Sequence, residues 1–175
     1  LPAFHAKTRF RELVANQRVT LVLGQTGCGK STQLPQFLQG NIVCTQPRKL
    51  AAISLAQRVA SERGEPDPRN QATTSSVGYC VRGDVAIPST CELVFCTVGV
   101  LIRKLLEDNI DFTHLVIDEA HERSLDIDFL LMLVANHIRK SVLDNAHPRF
   151  KLIIMSATLD QKIFQMFPDA ERLEI

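Results

Sequence analysis

The chain has 175 residues, of which 45% are hydrophobic, and a formal net charge of +1. This length and apolar content are typical of one domain with a buried core, and no apolar run is long enough to cross a bilayer. The near-neutral charge excludes polyanion binding through overall charge, so any nucleic-acid contact must come from a local group of residues.

The first informative element is a buried strand followed by a glycine-rich loop. The apolar run at residues 19–23 predicts the strand, and residues 24–31 then have the sequence Gly-Gln-Thr-Gly-Cys-Gly-Lys-Ser. Gly, four variable residues, Gly-Lys and Ser form the pattern of a phosphate-binding loop. The alternative is a glycine-rich turn that matches this pattern by chance.

The chemistry of the loop favours the phosphate interpretation. Its glycines let successive backbone N–H groups point at an anion, and the helix that follows adds its positive dipole end. Lys30 can reach the outer phosphates, and the hydroxyl of Ser31 can bind Mg²⁺. The loop therefore indicates a nucleoside triphosphate without showing what its energy is used for.

Strands and helices alternate along the rest of the chain. Apolar spacings of three and four predict helices at residues 50–60, 98–106 and 125–138, and Pro35 predicts a short or kinked helix after the loop. Nearly continuous apolar strands between helices indicate an α/β fold, with a mostly parallel sheet covered by helices on both faces. These further strands are predicted at residues 42–45, 93–97, 115–117 and 152–155.

A pair of carboxylates, Asp118 and Glu119, follows the predicted strand at 115–117. The pair lies where that strand reaches the carboxyl edge of the sheet, the edge at which α/β sheets bind ligands. Asp118 can hold Mg²⁺ largely through water, and Glu119 can orient and polarise an attacking water. The alternative is that both acids cap the helix that begins near Ser124 or Leu125.

Five motifs in order then give the chain a recognisable pattern. They are Gly24-Gln-Thr-Gly-Cys-Gly-Lys-Ser-Thr32 (motif I), Thr45-Gln-Pro-Arg-Lys49 (Ia), Thr97-Val-Gly-Val-Leu-Ile-Arg103 (Ib), Asp118-Glu-Ala-His-Glu-Arg-Ser124 (II) and Ser156-Ala-Thr158 (III). Together they resemble the first RecA-like domain of the DEAH-box RNA helicases of superfamily two, nearest to the RNA helicase A-like subgroup. The resemblance covers nearly the whole chain and implies a three-layer RecA-like P-loop fold, in which residues 1–175 form one ATP-binding motor domain.

The resemblance also implies the residues that bind ATP, or another nucleoside triphosphate, with Mg²⁺. Arg58 would stack on the base, although an exposed helix position is the alternative for that residue. Ser31 and Asp118 would hold Mg²⁺ largely through water. The nucleotide-binding residues would be Gly24, Gln25, Thr26, Gly27, Cys28, Gly29, Lys30, Ser31, Thr32 and Arg58. The catalytic residues would be Lys30, Asp118, Glu119 and His121.

Two further sets of residues follow from the same resemblance. His121 would link the nucleotide site to a second set of residues, called here the coupling set. On spacing alone, the hydroxyl-bearing residues of this set would only form a turn or a cap. RNA would be contacted through sugar and phosphate, so sequence specificity should be low. The coupling set is Ser156, Ala157 and Thr158. The RNA contacts would be Arg48, Lys49, Thr97, Gly99 and Arg103. For Arg103, the alternative to an RNA contact is an ordinary surface charge.

The resemblance implies an ATP-dependent RNA helicase that unwinds RNA or remodels ribonucleoproteins, completed by a second RecA-like domain that this chain lacks. Because the first residue is Leu1, we expect a piece of a longer protein, weakly active or inactive by itself. Further expected partners are RNA and an activator protein, but no membrane. Five scattered cysteines match no zinc spacing and favour reduced thiols in the cytoplasm or nucleus.

Three alternatives to an RNA helicase stay open at this point. One is a nucleotide-gated clamp on RNA or protein with little unwinding, and another is a helicase that acts on DNA. A third is a GTPase, which would need a guanine-reading Asn-Lys-x-Asp motif that the sequence does not contain.

Overall fold

The computed structural model describes residues 1–70, 74–144, 149–158 and 161–175. The strands among these residues are β1 (Val19–Leu23), β2 (Ile42–Gln46), β3 (Val77–Val81), β4 (Asp84–Ala86), β5 (Leu93–Thr97), β6 (His114–Ile117), β7 (Lys151–Ser156) and β8 (Glu171–Glu174). The helices are α1 (Pro2–His5), α2 (Lys7–Asn16), α3 (Lys30–Gln33), α4 (Lys49–Glu62), α5 (Val98–Leu106), α6 (Leu125–Leu143) and α7 (Gln161–Met166). Two 3₁₀ turns lie at Pro35–Phe37 and Ala120–Glu122.

The strands form one eight-stranded sheet in the order β4-β3-β5-β2-β6-β7-β1-β8. Every neighbouring pair is parallel except β3 and β4, which are antiparallel. Parallel neighbours need crossover connections, and these run mostly through the helices between the strands. The mostly parallel α/β sheet predicted from the sequence is therefore confirmed.

Strand side chains alternate between two separate apolar cores. Val22 and Val116 belong to one core, which includes residues of α2 and α4. Their chain neighbours Leu21 and Leu115 belong to the other core, which includes residues of α5 and α6. Because successive strand residues point to opposite faces, helices cover both sides of the sheet. This three-layer arrangement is consistent with a RecA-like domain.

The predicted helices are present, and the proline expectation is correct. The helix after the phosphate loop, α3, ends at Gln33, and a 3₁₀ turn takes over at Pro35. Proline lacks the N–H that a longer α-helix would need at that position. The start of α6 at Leu125 and the bounds of α5 also agree with the predictions.

Periodicity did not predict three strands, β3, β4 and β8. In β8 only Leu173 is buried, so its sequence lacks the continuous apolar pattern of the central strands. In β3, Gly78 interrupts the apolar run because a Cβ there would lie 2.7 Å from the carbonyl oxygen of Ala86. The close approach of β3 and β4 therefore requires the residue that weakens the local strand pattern.

No described helix combines the length and apolar character needed to span a bilayer. The five cysteines are all described and all have free thiols.

Candidate nucleotide and nucleic-acid site

The carboxyl edge of the sheet brings the predicted motifs together. In the parallel register Leu23 is paired with Ser156, and Gln46 is paired with Thr97. The segments after these strands therefore leave the sheet at the same edge. The backbone N–H of Gly24 donates to the carbonyl oxygen of Ser156 at 3.1 Å, so the phosphate loop contacts motif III directly.

The phosphate loop folds around the ammonium group of Lys30. This side chain is only 5% exposed, and its Nζ donates to the carbonyl oxygens of Gly24 and, at 3.0 Å, Gln25. Gly27 and Gly29 have φ values of 85° and 95°, which favour glycine because it has no Cβ. The cation is therefore held inside the loop, where a phosphate could replace the carbonyl contacts.

The helix after the loop is short, as Pro35 predicts. Four residues form α3, from Lys30 to Gln33. So short a helix has a small macrodipole, so Lys30 and the loop N–H groups must provide most of the attraction for an anion.

Asp118 is fully buried at the end of β6 and has three hydrogen-bonding partners. Its Oδ2 accepts from Nε2 of Gln46 at 2.7 Å, and its Oδ1 accepts from the N–H of Glu119 at 2.9 Å. Burial raises the pKa of Asp118, whereas hydrogen bonds from Ser31, Gln46 and the Glu119 N–H, together with the charge of Lys30, oppose that rise. The Ser31 hydroxyl and this carboxylate thus lie side by side.

Glu119 occupies a strained backbone position beside Asp118. Its φ of 53° and ψ of 37° lie in the left-handed region, which is uncommon for a residue with a Cβ. Burial and then the charge of Asp118 raise the pKa of Glu119, against the opposing effects of His121 and Lys30. A carboxylate with a raised pKa is a better acceptor for a proton from water.

His121 connects the carboxylate pair to the segment after β7. Its Nε2 lies 3.4 Å from Oε2 of Glu119, and its Nδ1 accepts from the N–H of Ala157 at 3.2 Å. The coupling set itself is folded by local bonds, since Ser156 Oγ donates to the carbonyl oxygen of Thr158 at 2.6 Å. Motif II and motif III are therefore in direct contact.

The helix-capping alternative for the two acids is wrong. Ser124 is the N-cap of α6, and its Oγ accepts from the N–H of Ile127 at 3.2 Å. Asp118 instead accepts from Gln46 and from its own neighbour Glu119.

Arg58 lies on the exposed side of α4. Its side chain is 69% exposed, and its Nε donates to Oε1 of Glu62 at 2.7 Å. Glu62 also accepts from Gln33 at 2.8 Å and from Gln36 at 3.2 Å, both next to the phosphate loop helix. Burial tends to raise the pKa of Glu62, but the hydrogen bonds from Arg58, Gln33 and Gln36 together lower it. Through Glu62, Arg58 is thus connected to the residues that follow the phosphate loop. Its exposure and position fit both a residue that stacks on a base and an exposed helix position.

The proposed RNA contacts lie near the same edge, at the starts of α4 and α5. Arg48 precedes α4, is 78% exposed, and lies 3.6 Å from Oε1 of Glu122. Lys49 Nζ donates to the carbonyl oxygen of Arg82 at 3.3 Å. An exposed cation next to the sheet edge can reach a phosphate without moving the backbone.

The second group of RNA contacts surrounds the start of α5. Thr97 is the residue before the helix, and Gly99 is exposed with open space where a Cβ would lie. Arg103 is 80% exposed and lies 3.6 Å from Glu107, one turn further along. This exposure is equally consistent with the alternative that Arg103 is a surface charge.

Two residues that the sequence reasoning assigned no role complete the site. Gln46 binds Asp118, and Glu62 holds Arg58 against the α3 region. Gln46 had a usable signal, because it is a polar residue at the end of an otherwise apolar strand that the sheet buries. Glu62 had a partial signal, because it lies four residues after Arg58, the spacing of an ion pair on one helix. Its contacts with Gln33 and Gln36 had none, because those residues lie 29 and 26 positions away.

A cavity of about 600 Å³ lies at the opposite, amino edge of the sheet. It is lined by residues before β1 and β8 and by the end of α6, including Arg18, Ile138 and Phe167, and by none of the motif residues. The predicted site residues therefore lie at the carboxyl edge and not in this cavity.

No family model matches the chain. Curated relatives are similar over 95% of it: the DExH-box ATP-dependent RNA helicase DExH1 of Arabidopsis thaliana is 42% identical over 180 residues, and the ATP-dependent RNA helicase DHX29 of Mus musculus is 40% identical over 184. A putative DEAH-box ATP-dependent helicase of Mycosarcoma maydis, UM11114, is 40% identical over 185 residues. The chain spans 17%, 13% and 11% of these three relatives. Over 95% of its length, the chain is therefore homologous to part of the DExH/DEAH-box ATP-dependent RNA helicases.

Proposed function

We propose that residues 1–175 form the first RecA-like, ATP-binding domain of an ATP-dependent RNA helicase. The observation that carries this proposal is the proximity of Lys30 to Asp118 and Glu119, since its charge acts on both carboxylates, while His121 joins Glu119 to Ala157. The relatives named ATP-dependent RNA helicases support the assignment of the nucleotide and of the nucleic acid.

ATP would bind over the phosphate loop, residues 24–32. Its outer phosphates would take the place of the Gly24 and Gln25 carbonyl oxygens as partners of Lys30. Arg58 would stack on the base from α4, held in position by Glu62. Stacking uses the face of a guanidinium rather than hydrogen bonds to base edges, so selectivity among nucleotides should be low.

The donor groups fit Mg²⁺. Ser31 and the buried Asp118 supply oxygen atoms, which are the ligands that this hard cation prefers. The described residues contain no converging group of three His, Cys, Asp or Glu side chains, so the remaining ligands would be water and phosphate oxygens. When bound, Mg²⁺ would neutralise charge on the phosphates.

Glu119 would orient the attacking water and accept its proton, which its raised pKa favours. His121 would hold the carboxylate and pass changes at the nucleotide to the segment at Ala157. By the family resemblance, arginines from a second RecA-like domain would complete the site. We therefore expect this chain by itself to hydrolyse ATP slowly and to unwind nothing.

RNA would bind through sugar and phosphate at the starts of α4 and α5. Arg48 and Lys49 would provide charge, and the exposed Gly99 would allow close approach of the strand to the backbone. The second RecA-like domain and an activator protein would be the protein partners. The free cysteines are compatible with the cytoplasm or nucleus.

Two measurements test this proposal. Calorimetry of the chain with Mg²⁺-ATP should show binding that Lys30→Ala removes, and anisotropy should show binding of single-stranded RNA. Binding of single-stranded DNA with equal affinity would favour the DNA-acting alternative. In a longer chain that contains the second domain, ATP turnover that RNA does not stimulate would favour the clamp. Absence of nucleotide binding would refute the proposal.

A further inference from the structure

The 3₁₀ turn at Ala120–Glu122 contacts three parts of the site at once. His121 contacts Glu119 on one side and Ala157 on the other. The next residue, Glu122, lies 3.6 Å from the guanidinium of Arg48, and its N–H donates to the carbonyl oxygen of Glu119 at 3.0 Å. Consecutive side chains of this turn therefore face the water-orienting carboxylate and a proposed RNA contact.

The turn is held under strain at both ends. Glu119 before it and Arg123 after it have φ values of 53° and 47°, a region that costs energy for residues with a Cβ. The Arg123 guanidinium is fixed to the Asp128 carboxylate by hydrogen bonds of 2.6 and 2.9 Å, which anchor it to the first turns of α6. A displacement of Glu122 would therefore act on two strained positions, Glu119 on one side and Arg123 on the other.

Glu122 and an RNA phosphate would compete for the same cation. Carboxylates and phosphates are both oxyanions that pair with guanidinium groups in the same forked geometry. The Arg48 side chain is 78% exposed and open to an incoming strand, whereas Glu122 is only 34% exposed. A phosphate that binds Arg48 would break the Glu122–Arg48 contact, which helps to hold the turn.

We propose that Glu122 is a positioning residue that pairs with Arg48 when no RNA phosphate is bound there. RNA binding and the position of Glu119 would then be coupled through the turn. This inference rests on the proposed function and adds a route for its regulation. Linkage requires that nucleotide binding changes RNA affinity by the same factor as RNA binding changes nucleotide affinity. Loss of the Glu122–Arg48 contact should therefore reduce that factor.

The test uses anisotropy with a labelled single-stranded RNA, with and without a non-hydrolysable Mg²⁺-ATP analogue. Glu122→Gln should tighten RNA binding about two- to fivefold without nucleotide, the range expected when an exposed ion pair is lost. It should also bring the ratio of the two RNA affinities, with and without nucleotide, close to one. Glu122→Asp keeps the charge and should retain part of the wild-type ratio.

Two controls separate this effect from a general loss of negative charge. Glu107→Gln breaks the Arg103–Glu107 pair, which has the same 3.6 Å separation and also involves a proposed RNA contact, but lies away from the turn. It should leave the affinity ratio unchanged. In an Arg48→Gln background, Glu122→Gln should have no further effect on RNA affinity.

The outcomes distinguish this inference from the proposed function. If the wild-type chain binds both RNA and nucleotide, a Glu122→Gln variant with the wild-type affinity ratio overturns the inference alone. Equal tightening by Glu122→Gln in the Arg48→Gln background does the same, because the effect would then be one of overall charge. A wild-type chain that binds neither ligand overturns the proposed function and the inference together.

Discussion

The backbone N–H of Ala157 donates a hydrogen bond to Nδ1 of His121 at 3.2 Å. Because Nδ1 accepts this bond, the neutral imidazole carries its proton on Nε2, the atom that lies 3.4 Å from the Glu119 carboxylate. A backbone group after β7 therefore sets which side of the ring faces the carboxylate. This contact joins two segments that are 36 residues apart in the sequence.

Replacement of His121 tests that contact. His121→Ala leaves the Ala157 N–H without its acceptor, which should cost about 1 kcal/mol of stability because Ala157 is only partly buried. Calorimetry should show Mg²⁺-ATP affinity within about threefold of wild type, while single-turnover hydrolysis falls at least about tenfold through loss of the Glu119 partner. His114→Ala, at the opposite end of β6, is the control and should keep the hydrolysis rate. Unchanged hydrolysis in His121→Ala would contradict the prediction.

Lys30→Ala should strongly weaken nucleotide binding without unfolding the domain. Charge-assisted bonds to phosphate are worth about 1.5–3 kcal/mol, so the dissociation constant for Mg²⁺-ATP should rise roughly 10- to 150-fold. The Lys30 contacts in the free protein are to loop carbonyls rather than to the apolar core, so thermal unfolding should stay cooperative. Lys140→Ala, an exposed lysine on α6, provides the control. Calorimetry that gives wild-type affinity for Lys30→Ala would refute this role.

Glu119→Gln should keep nucleotide binding and stop hydrolysis. The amide keeps the size of the side chain but cannot accept a proton from water, a loss worth about 10²- to 10⁴-fold in rate. The assay is steady-state ATP turnover in a chain that includes the second domain, with Glu107→Gln as a matched surface control. Near-normal turnover in Glu119→Gln would count against Glu119 as the water-orienting residue.

The isolated chain should hydrolyse ATP slowly and fail to unwind duplexes. In related phosphoryl-transfer sites, arginines that stabilise the transferring phosphoryl group contribute roughly a thousandfold or more in rate. Comparison of ATP turnover by residues 1–175 alone with turnover by the same residues joined to a second RecA-like domain measures this difference. Rapid, RNA-stimulated turnover by the isolated chain would show that the site is complete without a second domain.

Asp67 should make stability depend on pH in the acid range. Hydrogen bonds from Arg69, against a smaller effect of burial, lower the pKa of Asp67 from 3.8 to about 2. Since the folded pKa is the lower one, the carboxylate stabilises the fold above about pH 4, and this contribution is lost as the pH falls through about 2. The side chain is 38% exposed, so solvent screening should keep the effect below about 1 kcal/mol.

Urea unfolding at neutral pH and near pH 3 measures this contribution. The difference in unfolding free energy between wild type and Asp67→Asn should shrink on acidification. Arg69→Gln removes the partner of Asp67, so the difference between wild type and Arg69→Gln should shrink on acidification as well. A difference that stays constant between the two pH values would exclude a role for the Asp67–Arg69 pair.

Local patterns in the sequence were sufficient for much of the fold. The bounds of β1 and α5, and the early end of α3 before Pro35, follow from apolar spacing and from the missing proline N–H. The edge strand β8 could not be predicted in this way. It is held by pairing with β1, which lies some 150 residues earlier, and only Leu173 is buried.

The sequence by itself determined which chemical groups the site contains: the glycines of the phosphate loop, the ammonium of Lys30 and the carboxylates of Asp118 and Glu119. Only the tertiary structure decided which groups meet, because partners in a parallel sheet depend on strand order and register rather than on local pattern. The amide of Gln46 thus reaches Asp118 across 72 residues of sequence, since β2 lies next to β6. His121 reaches Ala157 because β7 lies on the other side of β6.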